Sequence, residues 1–181
     1  MNKTAALVFI LATCLTSAFP CFPAFAQAQT SLPSKEEISE LLSKADQKIS
    51  SFEIAVKNAK PYIDEINPQL ATNYLDAAST AHTMILALGK NGPSAYRLVG
   101  LLTTLDDLSL DAANASVRLL RMDEEYVIKG GKPNAKAFEA VVGLTAAGTG
   151  CNDIAELIMH ATMRYIRAEE DTLDKLLRNH H

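Results

Sequence analysis

The stretch LVGLLTTLDDLSLDAANASVRLLRMDEEY, residues 98–126, decides the fold of this chain. Its apolar residues recur in steps of three and four, a spacing that places them along one side of an α-helix. This seam comprises Leu98, Leu101, Leu105, Leu108, Ala112, Ala115, Leu119, Met122 and Tyr126. A helical projection widens the apolar arc with Val99, Leu102, Ala113, Val117 and Leu120. We therefore predict that this helix is the most enclosed element of the fold.

The ends of this long helix are marked by residues that start and stop helices. Pro93 and Ser94 precede the seam, where a proline costs little and a serine hydroxyl can cap free amides. Gly130 and Gly131 follow it. Since glycine is a poor helix former, the pair is expected to stop the helix.

A first helix is predicted from Ser34 and Glu37, which together form a capping box. Pro61 should kink or end this helix near Lys60, because proline lacks the amide that a helix interior needs. The heptad seam of this helix runs through Ile38, Leu42, Ala45, Ile49, Phe52, Val56, Ala59 and Ile63. Such a seam is typical of a helix that packs along its whole length.

A second helix is predicted to begin with Asn67 as its cap and Pro68 at its first position. Gly89 or Gly92 is expected to end it. Its seam consists of Ala71, Tyr74, Ala78, Ala81, Ile85 and Leu88. Because half of these residues are alanines, the neighbouring helices should lie close together.

The fourth helical stretch covers residues 134–177, and its middle leaves two alternatives open. Gly148 and Gly150 are poor helix formers and favour a break there. If the helix continues instead, these residues and Gly143 would let a neighbouring helix approach closely. We therefore predict an all-α fold, an antiparallel bundle of four helices, or of five if the chain breaks.

The N-terminus has the order of a bacterial secretory signal peptide. Lys3 precedes an apolar run at residues 5–19, and the small-residue triplet at residues 24–26 offers a cleavage site after Ala26. The apolar run is too short to span a bilayer, so no stable membrane anchor is expected. We predict a signal peptide at residues 1–26 and a periplasmic or secreted protein.

The processed chain is expected to be one helical-bundle domain, residues 27–181, with a flexible start at 27–33 and a flexible end at 179–181. Loss of Lys3, the lone charged residue of the signal, changes the formal charge from -4 to -5. Nucleic-acid binding needs clustered cations, so the acidic balance argues against such a partner.

No sequence pattern predicts a catalytic residue, a metal ligand set or a cofactor. The segment Gly148-Thr149-Gly150 lacks the lysine of a phosphate loop, and no serine stands in a nucleophile elbow. His160 projects outward beside Glu156, as expected of a surface residue. Cys151 is expected to be buried and inert, because a free cysteine packs like a small apolar residue.

His82 and Tyr165 form the one polar spot that the sequence places inside the bundle. His82 lies on the core side of the second helix, level with Thr162 on the fourth, and a buried imidazole needs a partner. We expect a hydrogen bond from His82 to Tyr165 or to Thr162. The alternative is that His82 and Tyr165 bind a cofactor or a small apolar ligand.

Two acids, Asp123 and Glu169, fall on apolar helix faces but at opposite ends of the predicted bundle. They are too far apart to share acid and base roles in catalysis. We expect Glu169 to pair with Arg97 and Asp123 to lie where its helix frays.

These features favour a non-enzymatic binding or interaction module of the bacterial envelope. An apolar helix seam can contact a partner helix as well as its own core, either in another protein or in a second copy. Ile54 and Leu110, opposite the main seams, are the candidate contacts. The competing hypothesis is a ligand-, haem- or metal-binding bundle that uses His82 and Tyr165.

Overall fold

The computed structural model describes residues 31–178, which form four α-helices and no strand. The helices are α1 (Lys35–Ile66), α2 (Leu70–Asn91), α3 (Ala95–Ile128) and α4 (Ala135–Arg178). Each helix packs on the helix before and after it, and α4 closes the ring on α1. This confirms the predicted all-α antiparallel bundle with four helices. The predicted signal peptide at 1–26 and the flexible end at 179–181 lie outside the described residues.

The predicted seams form the core. Every seam residue of α1 and α2 is buried, and so are those of α3 from Leu98 to Leu119. The last two predicted seam residues of α3 do not join the core, since Met122 is half-buried and Tyr126 is exposed. On α4 the buried side chains include Leu144, Cys151 and Ile158. Burial of one large aliphatic side chain contributes about 1.5–3 kcal/mol, so these seams supply most of the driving force for folding.

Proline does not end α1, contrary to the alternative that the helix stops near Lys60. The helix continues through Pro61 to Ile66. Pro61 itself is exposed, whereas Ala59 and Ile63 on either side of it are fully buried. The packing of Ile63 therefore offsets the hydrogen bond that Pro61 cannot make.

Asn67 belongs to the end of α1 and not to the first turn of α2, so the predicted start of α2 is wrong by about two residues. Its backbone amide donates to the carbonyl of Ile63 and its side chain accepts from the amide of Gln69. α2 begins only at Leu70. The same asparagine thus closes one helix and turns the chain toward the next.

The end of α2 and the start of α3 agree with the helix ends predicted from the sequence. α2 ends at Asn91, and Gly92 follows with a positive φ of 78°, which glycine adopts without strain. Ser94 caps α3 by accepting from the amide of Arg97. The Arg97 guanidinium donates to the carbonyls of Asn91 and Gly92, so the side chain fixes this turn.

α4 is one continuous helix through Gly148, which excludes the five-helix alternative for the described residues. A Cβ at Gly148 would lie 2.8 Å from Cβ of Ala112 and 3.2 Å from the carbonyl oxygen of Ser109 on α3. Nothing lies within 4 Å of such an atom at Gly143. α4 therefore continues through Gly148 because α3 packs closely against it. This packing stabilises the helix at a residue whose helix propensity is low.

The wide apolar arc of α3 is only partly buried, so the prediction of a broad enclosed face is wrong at three positions. Leu102 and Leu120 pack against the core. Val99, Ala113 and Val117 are exposed. α3 packs mainly against α4 and less extensively against α2, so within residues 31–178 no other helix covers its outer side.

Candidate functional site

His82 joins α2 to α1 through two carboxylates. Its Nδ1 lies 2.7 Å from Oδ1 of Asp46, and its Nε2 lies 3.6 Å from Oε1 of Glu53. The predicted hydrogen bond to Tyr165 or Thr162 is wrong, since the Thr162 hydroxyl donates to a carbonyl of its own helix. His82 does not meet α4 because α2 packs against α1 and α3, whereas α4 lies diagonally opposite α2 in the bundle. A cofactor role for His82 and Tyr165 stays a prediction.

Tyr165 lines an open groove of about 870 Å³ between the start of α1 and the end of α2. The apolar part of its wall is formed by Ile38, Leu42, Ile85, Leu86 and Leu88. Burial raises the pKa of the Tyr165 phenol, an effect that the nearby Arg164 opposes, so the group is protonated near neutral pH. Asp46, the partner of His82, belongs to the same wall.

Arg164 on α4 holds the chain just before α1. Its Nε donates to the carbonyl of Ser31 at 2.8 Å, and its guanidinium also pairs with the carboxylate of Glu37. The same Glu37 accepts from the amide of Ser34 in the predicted capping box. The hydrogen bonds from Arg164 and Ser34 lower the pKa of Glu37, so its carboxylate is charged at neutral pH.

The two acids predicted on apolar helix faces, Asp123 and Glu169, have different surroundings. Asp123 accepts a hydrogen bond from the backbone amide of Asn134 at 2.9 Å, which ties α3 to the start of α4. Glu169 is exposed. The predicted pairing of Glu169 with Arg97 is wrong, because the Arg97 guanidinium caps the end of α2 instead.

Cys151 is buried, as predicted, and its expected inertness stays a prediction. Its side chain is fully buried, and burial raises its pKa to about 11. His160 is half-exposed, with Nε2 3.8 Å from the Glu156 carboxylate, which agrees with its predicted surface position. Within residues 31–178 no group of three or more His, Cys, Asp or Glu side chains is arranged to hold a metal ion.

The outer side of α3 carries a row of exposed residues spaced three or four apart. We call this row the α3 stripe: Val99, Thr103, Asp106, Leu110, Ala113, Val117, Arg121, Glu124 and Ile128. Its four large apolar members expose 43%, 60%, 42% and 76% of their surface, at Val99, Leu110, Val117 and Ile128 respectively. Such a row on a surface helix is typical of a contact with another helix.

Ile54, the other predicted contact residue, is as exposed as Leu110 but isolated. Its exposed fraction is 59%, and its neighbours one turn away on α1 are Ser50, Ser51, Lys57 and Asn58. Single exposed apolar residues are common on protein surfaces and indicate little. The two candidates differ in that Leu110 shares its side of α3 with Ala113 one turn away and Val117 two turns away, whereas the residues one turn from Ile54 are all polar or charged.

Comparisons of this chain with protein-family models, with curated proteins and with solved structures find no significant match. None of the helices in residues 31–178 is long and apolar enough to cross a bilayer.

Proposed function

We propose that this protein is a non-enzymatic interaction module of the bacterial envelope, periplasmic or secreted, and that the α3 stripe is its contact surface. The observation that carries the proposal is that four exposed large apolar side chains share the outer side of α3, with polar and charged residues between them. The location outside the cytoplasm rests on the sequence of residues 1–26.

The form of the surface supports binding of a helix. α3 is unbroken through the stripe, 34 residues long and free of proline, so its side chains present one continuous row. The core side of the same helix is already filled by Leu101, Leu105 and Leu108. A partner can therefore cover the outer side without disturbing the core.

A photo-crosslinking residue placed at Leu110 in the producing bacterium tests this proposal. We expect a specific crosslinked product at position 110 and none at position 54, where Ile54 has the same exposure but no apolar neighbours. Introduction of Leu110→Lys should reduce recovery of the bound protein, whereas Ile54→Lys should not. Absence of a product at 110, or equal products at both positions, would contradict the proposal.

A second candidate function is binding of a small apolar ligand in the groove beside Tyr165. The groove volume falls within the range of about 300–1,000 Å³ that is usual for ligand sites, and its wall contains several aliphatic side chains. Native mass spectrometry of the protein purified from its own host is the direct test. A bound small molecule that is lost in Leu42→Asp but kept in Leu110→Lys would favour this candidate.

A further inference from the structure

We propose that the α3 stripe binds the α3 stripe of a second copy of this chain, in an antiparallel pair with two-fold symmetry. This inference rests on the proposed function and names its partner. It depends on a property of the stripe that exposure alone does not reveal: the order of residue types is complementary when the stripe is reversed.

Reversal about the midpoint, between Ala113 and Asn114, maps every member of the stripe except Ala113 onto another member of the stripe. Leu110 then lies opposite Val117, and Val99 lies opposite Ile128. All four large apolar side chains thus meet an apolar side chain of the other copy, and at the centre Ala113 lies opposite Asn114. In a two-fold interface each such contact occurs twice.

The charges on the stripe are complementary in the same arrangement. Asp106 lies opposite Arg121. Thr103 lies opposite Glu124, but its hydroxyl donates to the carbonyl of Val99 in its own helix, so the charge complementarity rests on Asp106 and Arg121. Both Asp106 and Arg121 are exposed, and among the ion pairs found in residues 31–178 neither has a partner within its own chain. They are therefore available to a second copy.

The opposite orientation is disfavoured. In a parallel pair in register, Asp106 would face Asp106 and Arg121 would face Arg121, so that both charged positions repel. Like charges placed opposite each other at an interface select against the wrong arrangement. Charge complementarity therefore specifies the antiparallel pair among the self-associated forms.

The flank of the stripe repeats the pattern of charges. Asp107 lies on the N-terminal side of the midpoint and Arg118 on the C-terminal side, and both are exposed. In the antiparallel pair, Asp107 of one copy lies near Arg118 of the other. Each chain thus has two pairs of charged residues, Asp106 with Arg121 and Asp107 with Arg118, in which the acid precedes the midpoint and the base follows it.

Reversing the charges at positions 106 and 121 tests the proposal. The samples are the full mature protein, purified from its own host. The molecular mass in solution is measured by sedimentation velocity over a range of concentrations for the unaltered chain, Asp106→Arg and Arg121→Asp. We expect the unaltered chain to dimerise. Each single variant places two like-charge contacts in the symmetric pair, so its dissociation constant should rise roughly tenfold.

The decisive sample is an equimolar mixture of the two variants. In a mixed pair, the arginine introduced at position 106 of one chain faces the aspartate introduced at position 121 of the other. The unaltered Arg121 and Asp106 also face each other, so both contacts are attractive. We therefore expect the mixture to dimerise like the unaltered chain. Ile54→Lys is the matched control on α1 and should leave the mass unchanged.

Several outcomes would overturn this proposal. An unaltered chain that stays monomeric at every concentration excludes self-association, and a dimer that neither variant weakens uses another surface. If the purified chain is monomeric while Leu110 crosslinks to a different protein in the cell, this inference fails and the proposed interaction function stands. Absence of both the dimer and the crosslink removes both.

Discussion

Cys151 shows how the position of one residue decides its chemistry. The sequence of residues 1–26 predicts export, and cysteines of exported proteins are commonly engaged in disulfides. The thiol of Cys151 is instead free and fully buried in the bundle. Burial raises its pKa to about 11, while Lys48 acts in the opposite direction. Because the thiolate is the reactive form, the folded protein should hold Cys151 inert.

We expect Cys151 to be unlabelled by a thiol reagent in the folded protein at neutral pH and fully labelled after denaturation. The measurement is labelling with a maleimide, followed by peptide mass spectrometry to locate the modified residue. Rapid labelling of Cys151 in the native state would show that the α4 packing opens much more readily than its burial indicates.

Glu37 offers a second test at the scale of one residue. Its lowered pKa means that the ionised carboxylate stabilises the fold above the pKa of the unfolded chain, and that this contribution is lost as the pH falls through the lower pKa of the folded state. Glu37→Gln should keep the capping box but remove the attraction to Arg164. We expect a loss of up to about 1 kcal/mol in the free energy of unfolding at pH 7.

The pH dependence of that loss shows whether the charge of Glu37 is what stabilises the fold. Urea unfolding of the unaltered chain and Glu37→Gln at pH 7 and at pH 3 should show a smaller difference at the lower pH, where the unaltered carboxylate becomes protonated. Glu40→Gln, which removes an exposed i,i+4 pair with Lys44, serves as the control. An equal difference at both pH values would mean that the charge of Glu37 does not stabilise the fold.

At the scale of one element, α4 shows how a neighbour overrides local propensity. Glycine costs about 1 kcal/mol in a helix interior relative to alanine, and α4 contains three glycines without a break. Gly148 meets Ala112 and Ser109 of α3, and Gly150 meets the side chain of Lys48 on α1. Two of the three glycines therefore have a packing role.

Alanine substitutions at Gly148 and Gly143 should have opposite signs. Gly148→Ala places a methyl group against backbone and Cβ atoms of α3, so we expect a net destabilisation of about 1 kcal/mol or more. Gly143→Ala meets open space and should stabilise by roughly 0.5–1 kcal/mol through helix propensity. Denaturant unfolding measures both, and stabilisation by Gly148→Ala would contradict the observed close approach of α3 and α4.

At the scale of the whole molecule, the four helices are packed unequally. The interface between α3 and α4 is the most extensive, and α2 has the least contact with the remainder of the bundle. α2 is also the shortest helix, with 22 residues, and half of its buried seam consists of alanine. Its burial therefore contributes less free energy than that of the other helices.

We expect α2 to open first in the native state. Amide hydrogen exchange should show protection in the middle of α2 that is roughly tenfold lower than in the middle of α3 or α4. Residues 101–116 of α3 provide the internal reference. Equal protection of α2 and α3 would show instead that the bundle opens as one cooperative unit.

The sequence alone was sufficient to determine the fold class, the seams and most helix ends, because periodicity, caps and glycine turns are local signals. Only the tertiary structure decided what each helix side faces. It continued α1 past Pro61 and α4 past Gly148, since packing there outweighs propensity. The tertiary structure also placed His82 beside Asp46 and left Val117 exposed. Which helices lie side by side in a bundle depends on contacts between helices, and the sequence of one helix alone does not specify them.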